Sequence, residues 1–226
     1  MKQILSITLL VLVLLPLTGQ DNTLPLEVPI QKVIVTGNIH LVLVASKTQQ
    51  LVFVSDQNRD ALTVELGKSQ LKLKTKSELN KAPSINLKLY YTSLSNLEVT
   101  KGGRIQSADT LKTSALNLRV ETGGKVELNI ETDSLAVRIN QGADVILYGR
   151  TVSQSIDAYT WGNYLGFNLD ADYAYVKAAT GAQVKVNAAK FLEVNSTSKA
   201  MVGYWGTPEE TKIKTSLGGK VSRLTE

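Results

Sequence analysis

The chain has 226 residues, of which 43% are apolar, 20% charged and 6% aromatic, with 25 Lys+Arg against 20 Asp+Glu, one His and no Cys. That length can bury one large core or two small ones. The missing cysteines exclude disulfide frameworks, thiolate metal sites and Cys nucleophiles, and the lone His40 rules out multi-His zinc centres and leaves a Ser-His-Asp triad only one base.

Met1-Lys2-Gln3 precedes an uncharged run from Ile4 to Leu17 that closes in Pro16-Leu17-Thr18-Gly19-Gln20. A membrane-crossing helix needs about 20 apolar residues, whereas a run of this length after one positive charge suits a secretory signal. Residues 1–19 are therefore expected to be a cleaved signal peptide, and 24–226 one domain without stable membrane insertion.

The 22 Val and 21 Thr favour strands, because β-branched side chains fit a pleated surface and lose rotamer freedom in helices. Residues 24–96 form a less regular opening section. Val33 to Val44 reads as strand, corner, strand. Further strand-like runs follow at Leu51 to Val54, Leu62 to Leu66, Leu71 to Thr75 and Ile85 to Tyr91, and polar Ser77 to Ser84 reads as a loop. This section is expected to begin or cap what comes next, because exposed strand edges invite pairing with other chains.

From residue 97 to 224 the sequence repeats. Seven segments align, ending at Ile105, Val126, Val145, Leu165, Val184, Val202 and Val221, with spacings of 21, 19, 20, 19, 18 and 19. Six carry Gly three places before that anchor and the seventh carries Lys199, which marks a tight corner. Eight places before the anchor stand Leu97, Leu118, Val137, Asp157, Val176, Val194 and Ile213, and the next column, Glu98, Arg119, Arg138, Ala158, Lys177, Asn195 and Lys214, is polar but for Ala158. This period-2 pattern places one face inward. A 19-residue strand pair cannot bury its inner face alone, but stacked copies can. The expected fold is all-β, a single-domain parallel β-helix (β-solenoid) of roughly 19-residue coils about 4.8 Å apart. Asp157 in the apolar column implies either a one-residue shift that brings Ile156 inward or a buried carboxylate; the shift is expected.

The opening Ile34-Val35-Thr36-Gly37-Asn38-Ile39, the recurrent Gly-Gly or Gly-Ala corners, and the closing Tyr204-Trp205-Gly206-Thr207-Pro208 resemble the secreted head GIN domain of putative auto-transporter adhesins. The resemblance spans about Val28 to Val221. It implies a β-helix exported in a bacterium to the periplasm, the outer membrane or the exterior, and it implies adhesion by name only, with no catalytic or ligand motif to carry over. Trp161-Gly162-Asn163 and Ser198-Lys199-Ala200 depart from the family's Gly-Ser-Gly corners.

The aromatic residues crowd between Tyr148 and Trp205. By column, Tyr159, Phe167 and Tyr204 are expected to point inward, and Trp161, Tyr164 and Tyr175 outward, as a stacking surface for sugar or an apolar patch for a protein. The plainer alternative is that these rings cover a loop or flank a corner. Arg119, Arg138 and Lys177 read as part of a mixed-charge solvated face. Asn129, Asn168 and Asn187 read as a stacked ladder. His40 reads as an exposed or edge residue, and Asp170 and Asp172 lack the Gly-rich calcium-loop pattern. No catalytic residue, metal or cofactor is assigned, and nucleic acid is not expected as a partner. The chain is read as a binding or adhesion module, not an enzyme, for a glycan or protein at the cell surface, and a homo-oligomer is compatible with that. The alternatives are a polysaccharide-active enzyme on a β-helix, which would need convergent carboxylates, or a structural envelope scaffold.

Overall fold

The computed structural model describes residues 22–55, 58–76 and 84–225. The expected signal peptide and nearly all of the expected 77–84 loop lie outside them. Among the described residues no helix is long and apolar enough to cross a membrane. The chain forms one parallel β-solenoid. Its opening section contains β1 (Thr23–Pro25), β2 (Lys32–Thr36), β3 (Ile39–Ala45), β4 (Gln50–Phe53), β5 (Leu62–Leu66), β6 (Gln70–Thr75), β7 (Ile85–Tyr91) and β8 (Asn96–Thr100). The coils continue through long bent strands, β9 (Arg104–Val120), β10 (Lys125–Ile139), β11 (Asp144–Ala158) and β12 (Asn163–Ala178). They end in shorter pieces, β13 (Gln183–Asn187), β14 (Phe191–Ser196), β15 (Met201–Trp205), β16 (Glu210–Thr215) and β17 (Lys220–Arg223).

The opening section both starts and caps the rod. β2 and β3 form the first coil, pairing in parallel with β8 and β9 on one side and with β6 and β7 on the other. Beyond these, β5 runs antiparallel to β6, β4 antiparallel to β7 and β1 antiparallel to β4, so the parallel stack finishes in short antiparallel edges. At the opposite end β16 and β17 carry Lys212, Lys214, Lys220 and Arg223, charges of the kind that discourage edge-to-edge pairing.

The inward column before each corner is unbroken: Leu71, Val33, Leu97, Leu118, Val137, Ile156, Val176, Val194 and Ile213 face one another strand by strand. All but the last are buried. Ile156 fills the column and Asp157 turns outward, so the expected one-residue shift is what the fold adopts. After the corner a second column runs Leu87, Leu41, Ile105, Val126, Val145, Tyr164, Val184, Val202 and Val221. The fourth anchor is therefore Tyr164, not Leu165.

Two local devices bend the chain, one at every corner and one in three of the coils. At the corner two successive residues take positive φ, in the pairs Lys101-Gly102, Thr122-Gly123, Gln141-Gly142, Thr160-Trp161, Thr180-Gly181, Ser198-Lys199 and Leu217-Gly218. In every pair but the last, the second residue donates its N–H to the carbonyl of the next corner, as Gly123 does to Gln141 at 3.1 Å. Halfway round, Thr113, Thr132 and Thr151 stack on one another, and each hydroxyl donates to the carbonyl two residues on, at 3.3, 3.1 and 3.1 Å. Such local side-chain bonds favour a bend over a straight strand.

The expected Asn ladder does not form. Tyr148 on β11 stands directly between Asn129 and Asn168, and Asn187 donates to Asp170. Arg119 and Arg138 lie in a row with Glu98, Asp157 and Lys177, which is the mixed-charge face expected.

Leu118 lies at the centre of the inward column, 2% exposed. Leu118→Ala is expected to cost about 2–5 kcal/mol of stability, through lost burial and an uncollapsed cavity, measured by urea unfolding.

Candidate binding surfaces

The expected aromatic site residues separate into three environments. Trp161 is 70% exposed at a corner, Tyr175 is 41% exposed on an outer face, and Tyr164 is 0% exposed in the core. The outward placement of Tyr164 is corrected by the register: the corner is Thr160-Trp161, which puts Gly162 where the other coils have Gly or Ala and moves Tyr164 onto the inward position. Its ring fits because Gly166, two residues on along the same face, has no side chain; a Cβ there would lie 2.5 Å from the ring. The Tyr164 hydroxyl donates to Gln154 Oε1 at 2.8 Å, and Gln154 Nε2 donates to the Asn187 carbonyl at 2.9 Å. The buried phenol and the buried amide thus satisfy each other, as groups without water must. Burial pushes the Tyr164 phenol well above its ordinary value.

Phe167 also departs from expectation. It is the extra residue where the β11–β12 register shifts, so it turns outward, 39% exposed, and packs against Trp205 with ring centroids 5.3 Å apart. Tyr159 and Tyr204 are half-buried, the latter against the core.

Trp161 takes φ 62, a left-handed conformation that five of the seven corners assign to Gly. For an L-residue this costs roughly 1–2 kcal/mol. The ring leans over Gly181 of the next corner, where a Cβ would come within 3.0 Å of it. Most of the indole still faces solvent.

The densest aromatic surface lies on the outer face before the corner. Tyr173 and Phe191 are direct cross-strand partners on β12 and β14, and Tyr175 is two places along from Tyr173. Tyr175 and Phe191 approach with centroids 5.5 Å apart. Lys190 lies over the Tyr173 ring at 5.9 Å and Lys212 over Phe191 at 5.1 Å. Lys190 Nζ is held by Asp172 at 3.0 Å, and that carboxylate raises the lysine's pKa. Trp161 is not part of this surface. Tyr175 lies five residues ahead of the corner at Thr180, about 16 Å along a strand rising ~3.3 Å per residue. Alternation from inward Val176 and Val194 turns Tyr173 and Phe191 outward, and the pairing of β14 on β12 is what sets them side by side.

Among the described residues no group of three or more His, Cys, Asp or Glu is placed to hold a metal ion. Asp170 accepts from Asn187 and Asp172 from Lys190.

These features define a parallel β-solenoid with side chains arrayed on flat outer faces. The sequence profile described as "Putative auto-transporter adhesin, head GIN domain" matches residues 30–208, and the chain belongs to that family. Among curated proteins no relative matches in sequence. Crystal structures share the fold. A putative adhesin from Parabacteroides merdae is 14% identical with a TM-score of 0.71, covering 90% of this chain and 95% of its own. A putative adhesin from Parabacteroides distasonis is 15% identical with a TM-score of 0.72, covering 89% and 95%. A protein from the same species described as a putative lipid binding protein is 17% identical with a TM-score of 0.65, covering 90% and 96%.

Tyr164→Phe leaves Gln154 Oε1 buried without its donor and is expected to cost about 1–3 kcal/mol at neutral pH. The wild-type phenol stays protonated in the fold while an unfolded tyrosine ionises near 10.0. Stability is therefore expected to fall as pH rises above that value, and less steeply in the variant; denaturant melts from pH 8 to 11 check both. Trp161→Gly places at this corner the residue most other corners use, and its stability is expected to stay within about 1 kcal/mol of wild type or to rise.

Proposed function

We propose that this protein is a non-catalytic binding module of the bacterial cell envelope, exported by the signal peptide read at 1–19, that docks a glycan on the outer face of its later coils. The observation that carries this reading is the grouping of Tyr173, Tyr175 and Phe191 on adjacent strands, with lysines over two of the rings. Aromatic faces offer sugar C–H groups a flat apolar contact, and neighbouring Lys190, Lys212 and Glu193 supply donors and acceptors for hydroxyls. The rings are set by two hydrogen-bonded strands rather than a loop, so little conformational entropy is lost on binding. The family's adhesin description supports a surface-binding role. Trp161, exposed at its corner, is a second contact on the same rod rather than a member of the same platform.

A glycan array probed with the mature protein tests the reading. Tyr175→Ala and Tyr173→Ala are each expected to weaken bound-glycan signals roughly two- to tenfold. Trp161→Ala reports whether the corner contributes. Unchanged binding in all three variants overturns the aromatic assignment, and release of reducing ends from any polysaccharide overturns the non-catalytic one.

A further inference from the structure

On the other outer face, after the corner, the first coils carry a polar groove of about 320 Å³. That is within the ~300–1,000 Å³ range of small-molecule sites. One outward row along it is His40, Arg104, Lys125, Asp144 and Asn163, each directly opposite the next across parallel strands. The second row holds Gln106 and Glu127. Nearly every polar side chain here is engaged by another. The His40 ring Nε2 lies 2.7 Å from Gln106 Oε1, Gln106 Nε2 donates to Glu127 Oε2 at 3.1 Å, and the Tyr148 hydroxyl donates to Glu127 Oε1 at 3.4 Å. Because Gln106 uses its amide N–H on Glu127, its carbonyl oxygen is the acceptor, and His40 carries its proton on Nε2. Lys125 Nζ pairs with Asp144 at 2.8 Å, and Asn163 Nδ2 donates to the same carboxylate at 3.3 Å.

Arg104 differs from its neighbours. It is exposed between His40 and Lys125, and among the described residues its guanidinium has no hydrogen-bond or ion-pair partner. A planar fork of N–H donors standing free in a groove whose other groups are already tied in place is suited to bidentate recognition of a planar anion. Arg104 and Lys125 are balanced by the carboxylates of Glu127 and Asp144. That balance admits a singly charged carboxylate and disfavours densely charged phosphate or sulfate groups. Glu127 and Asp144 retain acceptor capacity for hydroxyls.

The geometry points to a second binding site, for the carboxylate of an acidic sugar, with Arg104 gripping the uronate carboxylate and the Gln106-Glu127 row receiving its hydroxyls. This site stands on a different strand face from Tyr173 and Tyr175, so it can succeed or fail independently of the aromatic platform.

The test is calorimetric titration of the full mature chain with trigalacturonate and with its methyl ester. Binding of the acid and not the ester is expected, weakened roughly ten- to a hundredfold in Arg104→Gln and less in Arg104→Lys, which keeps a point charge but loses the fork. Tyr175→Ala should leave this titration unchanged. Among the described residues the Arg104 guanidinium makes no hydrogen bond or ion pair, so Arg104→Gln should melt at the wild-type temperature, which separates lost binding from lost folding. No binding of trigalacturonate at millimolar concentration, equal binding of the ester, unchanged binding in Arg104→Gln, or tighter binding of a sulfated trisaccharide would each overturn the assignment.

Discussion

Every strand in the regular part of this protein except those of the last coil is hydrogen-bonded to the coil before it and the coil after it, and that parallel ladder constrains everything else. Parallel pairing in register sets each side chain against the corresponding side chain of its neighbour, some 4.8 Å away. A residue type that fits one coil must therefore fit a column. The nine-membered apolar column from Leu71 to Ile213 follows from this, as do the positive-φ corners and the stacked Thr113, Thr132 and Thr151 bends. Surface ion pairs such as Lys112 to Glu131 at 2.7 Å run along the same ladder, but at their exposure they contribute little beside the buried columns.

The fourth regular coil breaks the pattern in several places, and each break is compensated nearby. Tyr164 enters a column of Val, Ile and Leu, and Gly166 vacates the space its ring needs while Gln154 receives its hydroxyl. Phe167, displaced by the bulge, finds Trp205. Trp161 occupies a Gly corner and lies over the bare backbone of Gly181. Local rules are most often broken where a surface is being built for another purpose, and this coil also supplies Tyr173 and Tyr175 to the outer aromatic face.

A solenoid of this kind offers two long outer faces that differ in chemistry because their columns differ. Before the corner the later coils carry rings and lysines. After the corner the early coils carry a polar network organised around Gln106 and Glu127. Both are held by strands whose inner side chains are buried, so the outward groups are presented in fixed spacing without loops to order.

The period, the corners, the all-β character and most of the core were legible in the sequence, because a stacked ladder forces identical side-chain types to recur at a countable interval. The family resemblance, carried by the opening strand, the corners and the Tyr204-Trp205-Gly206-Thr207-Pro208 closing run, was legible for the same reason. What counting could not decide was register within a coil that gains or loses a residue. A one-residue error at the Trp161 corner exchanges inside for outside, which is why Tyr164 read as a surface ring and Phe167 as a core one. Phe191 and the Arg104 groove lay further from reach, since both depend on which residues of distant coils come to stand side by side. That adjacency belongs to hydrogen-bonded strands packed on a common core, and only the folded chain fixes it.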